Sequence, residues 1–266
     1  FSGKAYSYDH LVLATGSGST FFGHDDWRTF APPMKILEHA EEIRRRLLMA
    51  MEQAEQTPDP EARRFLQTVV IVGGGPSGCE MAGATSELMR NAMRKEFRQL
   101  NLDDTRIIVV DPGDRVLRAM PEELSQAAQK SLAALGVEFL FKGRVQSMQP
   151  GEVIVGTPDG ERRLQAATVI WTAGVRPSHL GRQLADAVGC ETDRAGRVVV
   201  EPDFSMKGHP EIRVVGDLCC YKHTRDGNQL PGMAGPATQA GGFVGKGIDT
   251  IQNRHAAEIK PAEVGP

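Results

Sequence analysis

Residues 69–83 read VVIVGGGPSGCEMAG, and no other stretch constrains the fold as much. Four apolar β-formers run into three consecutive glycines, after which small and apolar residues continue with helical spacing. Gly73, Gly75 and Gly78 occupy the places of a G-x-G-x-x-G turn. The first allows a tight reversal, the second lets main chain approach a pyrophosphate with no Cβ between them, and the third brings helix close to strand. The helix start then offers unpaired N–H groups and a partial positive charge to an anion. The spacing alone is a weak signal, so its context decides. A short, wholly apolar strand precedes it at 68–72, of the kind found inside parallel sheets. A second buried strand follows at 106–110, and Asp111 stands at its end. An acid there accepts hydrogen bonds from ribose hydroxyls and repels a 2′-phosphate, which favours NADH over NADPH; Arg115 nearby pulls the other way. The separation of Gly78 from Asp111 exceeds the usual ~20 residues, and a helix expected to run to about residue 100 accounts for it. Glu80, in what reads as the first turn of that helix, either complements the helix dipole or lines the space of a nicotinamide.

The rest of the chain supplies the sheet. Pro121 opens a helix where its missing N–H costs nothing, and Gly136 ends it. Strands at 137–141, 145–148 and 153–155 with the turn at Pro158-Asp159-Gly160 predict a strand leading into an antiparallel meander. Residues 168–171 return as a strand into Thr172-Ala173-Gly174. This succession describes a complete dinucleotide-binding domain over 67–180. Before it, 8–14 reads as a strand closed by Thr15-Gly16-Ser17-Gly18. From Met34 the pattern is helical, with Ile36, Ala40, Ile43, Leu47 and Met51 on one face and Glu41/Arg45 and Glu42/Arg46 spaced i,i+4 on the other. The run Arg44-Arg45-Arg46 belongs to a solvated face, because six basic residues meet seven acidic ones between 35 and 64. A loop holding Pro58 and Pro60 follows. After the central domain, 198–200 and 212–215 are strands and 237–253 is helical in pattern. The expected architecture is α/β with two Rossmann-like domains. Residues 1–20 and 181–266 form parts of one outer domain, 21–66 connects, and 67–180 is inserted.

Composition excludes several classes. With 31 Lys and Arg against 34 Asp and Glu, a net charge of −3 leaves no basic field for nucleic acid. No apolar run approaches the roughly 20 residues that span a bilayer, so the chain is expected to be soluble. Cys79, Cys190, Cys219 and Cys220 show no C-x-x-C spacing, which suits a reducing compartment. The adjacent Cys219 and Cys220 read as small buried side chains rather than a redox pair. No histidine stands at metal-ligand spacing from a cysteine or a second histidine, and no metal is expected. The chain begins at Phe1, almost directly before a strand, and is expected to be a fragment of a longer protein.

Several of these motifs together resemble the type II NADH:quinone oxidoreductases, within the pyridine nucleotide-disulfide oxidoreductase-like superfamily of flavoproteins. YDHLVLATGS resembles the strand that closes the first FAD segment, VVIVGGGPSGCEMAG the NADH fingerprint, VIWTAGVRPSHL the crossing back to the FAD domain, and IRVVGDLCC the late flavin motif. Two stretches narrow the likeness to the type II enzymes. One is FFGHDDWRTFAPPMKILEHAEEIRRRLLMAMEQAE, which resembles their segment between FAD and NADH domains. The other is LPGMAGPATQAGGFVGKGI, similar to their A-x-x-A-x-Q stretch with Ala234, Ala237 and Gln239 in register. The sequence departs from the family at Gly235, where many members carry Gln. The N-terminal FAD βαβ unit and the C-terminal amphipathic membrane segment are also missing from it.

The resemblance implies an NADH dehydrogenase of electron transport, with FAD and NAD(H) as cofactors and a quinone as acceptor, working by ping-pong electron transfer. It implies cofactor contacts at Thr15, Gly16, Ala173, Gly174, Gly216 and Asp217, in addition to Gly73, Gly75, Gly78, Glu80 and Asp111. Gly216 would allow close approach and Asp217 would bind the ribityl chain. Glu80 and Gln239 are the candidate catalytic residues, Gln239 as a donor to a quinone carbonyl. The alternative for Gln239 is that it only caps or solvates its helix. Peripheral association with the cytoplasmic side of a membrane is implied, and a homodimer is compatible with it. Two other readings stay open at this point. One is a different FAD-dependent NAD(P)H reductase of the ferredoxin, rubredoxin or sulfide-quinone type; the other is a non-catalytic NAD-binding module.

Overall fold

A computed structural model of the chain describes residues 3–94, 96–222, 229–230 and 232–258. The chain divides into two compact units, Ser19–Gly174 and the pair of segments Phe1–Gly18 and Val175–Pro266. The first strands are short: β1 (Leu11–Leu13) and β2 (Ser17–Ser19). The residues expected to extend β1, from 8 to 14, are otherwise outside regular structure.

The Ser19–Gly174 unit opens with a 3-10 turn at Asp25–Thr29 and continues into α1 (Leu37–Gln56) and α2 (Pro60–Leu66). The pattern that began at Met34 therefore becomes helix three residues later. The proline loop contains a helix, because Asp59 accepts a hydrogen bond from Glu61 N and Pro60 sits in the first turn. Then come β3 (Thr68–Val72), α3 (Pro76–Glu87), β4 (Arg106–Asp111), α4 (Glu122–Ala134) and β5 (Val137–Phe141). The meander β6 (Arg144–Gln149), β7 (Glu152–Thr157) and β8 (Gly160–Gln165) leads to β9 (Thr168–Trp171). The helix expected to reach residue 100 stops at Glu87, where a π-helical turn at Leu88–Ala92 breaks its register.

Strands β3, β4, β5 and β9 make one parallel sheet in the order β5-β4-β3-β9. Every residue of β3 is buried, which explains its unbroken apolar sequence: both faces are covered. Val69 and Ile71 face Ile43, Leu47 and Met51 of α1 and Ala82 of α3. Val70 and Val72 face the meander through Val153 and Val155, together with Phe21, Trp27 and Trp171. Each such aliphatic side chain contributes roughly 1.5–3 kcal/mol by leaving water. The central strand thus organises the unit from both sides.

The other unit carries β10 (Val175–Pro177), α5 (His179–Val188), β11 (Val198–Val199), β12 (Ser205–Met206), β13 (His209–Val214), β14 (Cys219–Cys220) and α6 (Ala234–Glu258). β1 pairs in parallel with β13, Leu11 opposite Ile212, so the first residues of the chain join a strand two hundred positions later. β12 adds antiparallel to β13, and β11 pairs with β14. Leu11, Leu13, Ile212, Val214 and Leu218 share a core, while Ala240 and Val244 of α6 pack on Phe204 and Val215. Among the described residues no helix is long and apolar enough to cross a membrane, and no group of three His, Cys, Asp or Glu could hold a metal ion.

Candidate functional site

The glycine turn sits between β3 and α3, at the carboxyl end of the sheet. Gly73 has φ +111°, and a Cβ there would lie 2.8 Å from Ala173 N and 2.9 Å from Thr172 Oγ1. A Cβ on Gly78 would overlap Gly73 O, so helix and strand touch through bare main chain. Gly75 is different, because nothing lies within 4 Å of a Cβ built on it. It precedes α3 without capping it by a side chain, and the first-turn N–H groups behind it lack intrahelical acceptors. Two of the glycines therefore pack the turn and one opens toward solvent, the division of labour that the spacing predicts.

Asp111 ends β4 and is engaged by main chain. Its Oδ2 accepts from Gly74 N at 2.6 Å and its Oδ1 from Gly113 N at 2.7 Å. The carboxylate expected to reach for ribose thus also ties the glycine turn to the loop after β4. Leu117 N donates to Gly74 O at 2.8 Å and reinforces the same junction. Each carboxylate oxygen keeps acceptor capacity beyond these bonds. The nearest polar contacts of Arg115 are long, at 3.4 and 3.5 Å to the carbonyls of Arg118 and Met120.

A cleft of about 550 Å³ runs along these strand ends. Gly73, Gly75, Val110, Asp111 and Pro112 form one part, Thr172, Ala173 and Gly174 another, and Phe22, His24 and Trp27 close it from the connecting segment. Trp171 donates through Nε1 to Thr20 O at 2.9 Å, and His24 stacks on Trp27 at 4.1 Å. This aromatic wall was not read from the sequence, although FFGHDDW carried the signal. Thr172 was missed too. Its hydroxyl lies 2.9 Å from Val72 O and 3.1 Å from Gly73 O and pins the turn. Glu80 corrects the sequence reading: it is the fifth residue of α3, beyond the first turn, exposed, and not part of the cleft lining.

The remaining candidates fall in the other unit. Thr15 is exposed, and Gly16, at φ +60°, accepts from Ser178 N at 3.0 Å. Gly216 has φ +72°, and Asp217 Oδ2 accepts from Ser17 Oγ at 2.6 Å. Asp217 borders a small space of about 20 Å³ with Arg197, Gly232 and Met233. Gln239 is exposed on α6 and lines a separate hollow of about 410 Å³ with Tyr221, Phe204 and Phe243, the first two rings stacked at 4.5 Å. The sequence pointed to Gln239 but not to these aromatic neighbours. Burial pushes the thiols of Cys79 and Cys219 up to about 11, so both stay protonated at neutral pH. Cys220 accepts from Gln229 Nε2 at 2.8 Å.

A parallel sheet with a glycine turn at a helix start and an acid ending the next strand defines a Rossmann-like nucleotide-binding fold. A profile of the pyridine nucleotide-disulphide oxidoreductases matches residues 2–253, and the chain belongs to that family. It is 40% identical over 260 residues to the type II NADH:quinone oxidoreductase Ndh of Mycobacterium tuberculosis, covering 97% of this chain and 54% of that protein. A type II NADH:quinone oxidoreductase of Staphylococcus haemolyticus is 28% identical, covering 95% of this chain and 60% of its own length. The fold is similar to that of NDH2 from Plasmodium falciparum in complex with NADH, with a TM-score of 0.72 at 19% identity over 81% of this chain and 44% of that one. The chain thus spans about half the length of the curated relatives it matches.

Proposed function

We propose that the protein to which this chain belongs is a type II NADH:quinone oxidoreductase, an enzyme of electron transport. The observation that carries this reading is 40% identity sustained over 97% of the chain with a relative of that name. The Ser19–Gly174 cleft fits NADH: Gly75 leaves open space at a helix start, and Gly73 and Gly78 admit no side chain. In this reading the helix start takes the pyrophosphate and Asp111 the adenosine ribose, with Ala173 and Gly174 beside the nicotinamide half. The domain boundaries that go with it are 67–180 for NADH and 1–20 with 181–266 for FAD, with 21–66 connecting.

The residues at the other unit's loops fit a flavin by their chemistry. Gly16 and Gly216 hold left-handed turns that bring main chain close, and Asp217 is an acceptor for a ribityl hydroxyl. A flavin bound by these residues would supply the redox chemistry between a hydride donor and a quinone. The protein's part is to position rings and exclude water. Thr15 joins this contact set, and Gln239 offers a carboxamide donor in a hollow lined by aromatic rings, the surroundings a quinone suits. Peripheral membrane association at the cytoplasmic side, and a homodimer, belong to the same reading, since a lipid-soluble acceptor has to be met at a bilayer.

The test is made on the full-length protein. Its flavin absorbance should bleach on adding NADH and return on adding a short-chain quinone; a preparation without bound flavin, or one that NADH leaves unchanged, removes the reading. The sulfide-quinone alternative needs reactive cysteines, and alkylation followed by mass spectrometry separates it. With Cys219 held protonated up to about 11, the native protein should resist labelling there at pH 7.5.

A further inference from the structure

Residues 21–24 make a tight turn in which His24 N donates to Phe21 O at 3.1 Å. Both central residues have positive φ, Phe22 at 54° and Gly23 at 97°, the geometry of a type I′ turn. Glycine suits the second place. The first normally goes to Asn, Asp or Gly, and a bulky ring there is an outlier. Burial does not explain it. Phe21, its neighbour, is fully buried and stacks on Trp171 at 4.9 Å, whereas Phe22 is 67% exposed with its centroid 6.4 Å from Trp171. The Phe22 ring lies instead on the main chain of Gly174, its Cζ 2.5 Å from where a Cβ would stand. A strained turn therefore holds a large apolar ring in the open, at the rim of the cleft.

The sheet order says which part of a nucleotide would meet it. With the pyrophosphate at the end of β3, the adenosine half lies toward β4 and Asp111, and the other half toward β9, whose continuation is Thr172 to Gly174. We propose that Phe22 is a stacking platform for the nicotinamide half of the bound nucleotide, and that its turn is strained in order to present the ring there. The inference rests on the NADH reading of the cleft and goes beyond it by assigning recognition of the nicotinamide ring to the connecting segment.

The experiment compares NADH with ADP-ribose, which has the adenosine and pyrophosphate but no nicotinamide. Phe22→Asn removes the ring and places a residue that tolerates the turn, so its melting temperature should equal or exceed that of the parent. NADH should bind about tenfold more weakly to it, the scale of one lost aromatic stack, while ADP-ribose stays within twofold. Phe22→Tyr keeps the ring and should keep NADH affinity. If the two ligands weaken together, or NADH binding is unchanged, the platform is refuted while the cleft reading stands. If the parent chain binds neither ligand, the cleft reading falls and the platform with it.

Discussion

Asp111 ends a parallel strand and Asp217 follows one by three residues, yet they are held by different means. Asp111 is gripped by main chain alone, through N–H groups of Gly74 and Gly113 that belong to the same compact unit. Asp217 takes the hydroxyl of Ser17, two hundred residues earlier in the chain. Main-chain donors fixed by a sheet and a helix start cannot be lost by rotating a side chain; a serine hydroxyl can. The Asp111 junction is therefore built into its sheet, and the Asp217 loop takes one of its contacts from a side chain in the distant first segment.

The largest effect should come from a glycine in the turn that Asp111 braces, set against the glycine before Asp217. Gly78→Ala drives a methyl group into Gly73 O, a main-chain atom with nowhere to go, and should destabilise the chain by about 3 kcal/mol. Gly216→Ala meets only Ala237 Cβ at 3.7 Å and bears just the left-handed conformation, about 1 kcal/mol. Thermal melts of the two variants read the difference directly. Equal losses would mean that the first turn is no more tightly built than the second.

Next in size are the acids themselves. Asp111→Asn turns one accepting oxygen into an amino group, donor against donor at either Gly74 or Gly113, and should cost about 2–3 kcal/mol in stability. It should also lower the NADH over NADPH preference by about tenfold, because repulsion of a 2′-phosphate is lost. Ser17→Ala removes one hydrogen bond to a carboxylate and should cost about 1.5 kcal/mol. Urea unfolding compares the pair, and a Ser17 variant as damaging as the Asp111 variant would break the contrast.

How much of this was legible beforehand follows the same line. Strands β3 and β9 lie at the expected residues because each is an unbroken apolar run after a leading threonine and is buried along its whole length. Helix α2 went unread because it buries no residue, although Asp59 before Pro60 carried its start signal. Helix α5 escaped for a related reason, burying only Gly181 and Ala185, with Ser178 as its cap and Gly189 as its stop. The overlong α3 came from helical spacing that persists through a π-turn, which periodicity cannot detect. At the site, glycine spacing and Asp111 could be read, since each acts through its own backbone position. The placement of the FFGHDDW wall against Gly174, and the Gln239 hollow, could not, since both bring together residues far apart in sequence, Phe22 with Gly174 and Tyr221 with Phe243.

A kinetic contrast comes third. In the full-length protein, Gln239→Leu keeps much of the volume and removes a donor from the hollow beside Tyr221 and Phe243. If the proposed function holds, reduction of the flavin by NADH should stay near the parent rate. Reoxidation by a short-chain quinone should slow by about tenfold, the effect of one hydrogen bond worth about 1.4 kcal/mol in the transition state. Equal slowing of both half-reactions would point to a disturbed flavin site, and no slowing would remove Gln239 from the quinone assignment.

The smallest expected effect is in acid, and it sets two ion pairs against each other. On α1, hydrogen bonds from Arg45 and then Arg46 hold the Glu42 carboxyl down at about 2. Arg46 also donates to the carbonyls of Phe30 and Thr29, so the pair ties helix to connecting segment. In the other unit, burial pushes the Asp193 carboxyl up, but N–H donors from Arg197 and Ala195 and the Arg197 guanidinium outweigh it and leave it lowered. Both carboxyls bind protons less readily folded than unfolded. Each contribution is therefore full above the ordinary carboxylate values, about 3.9 for Asp and 4.3 for Glu, and is lost as pH falls through the folded value, down to about 2 for Glu42. Because Glu42 and Arg45 are the more exposed partners, Glu42→Gln should flatten the acid limb by only about 0.5 kcal/mol, and 0.5 M salt should erase most of that. Asp193→Asn should flatten it by about 1 kcal/mol and resist salt, since main-chain donors and half-buried side chains hold that pair. Urea midpoints between pH 6 and pH 3, at low and high salt, measure both, and a salt-insensitive Glu42 contribution would show that α1 is anchored as firmly as the Asp193 loop.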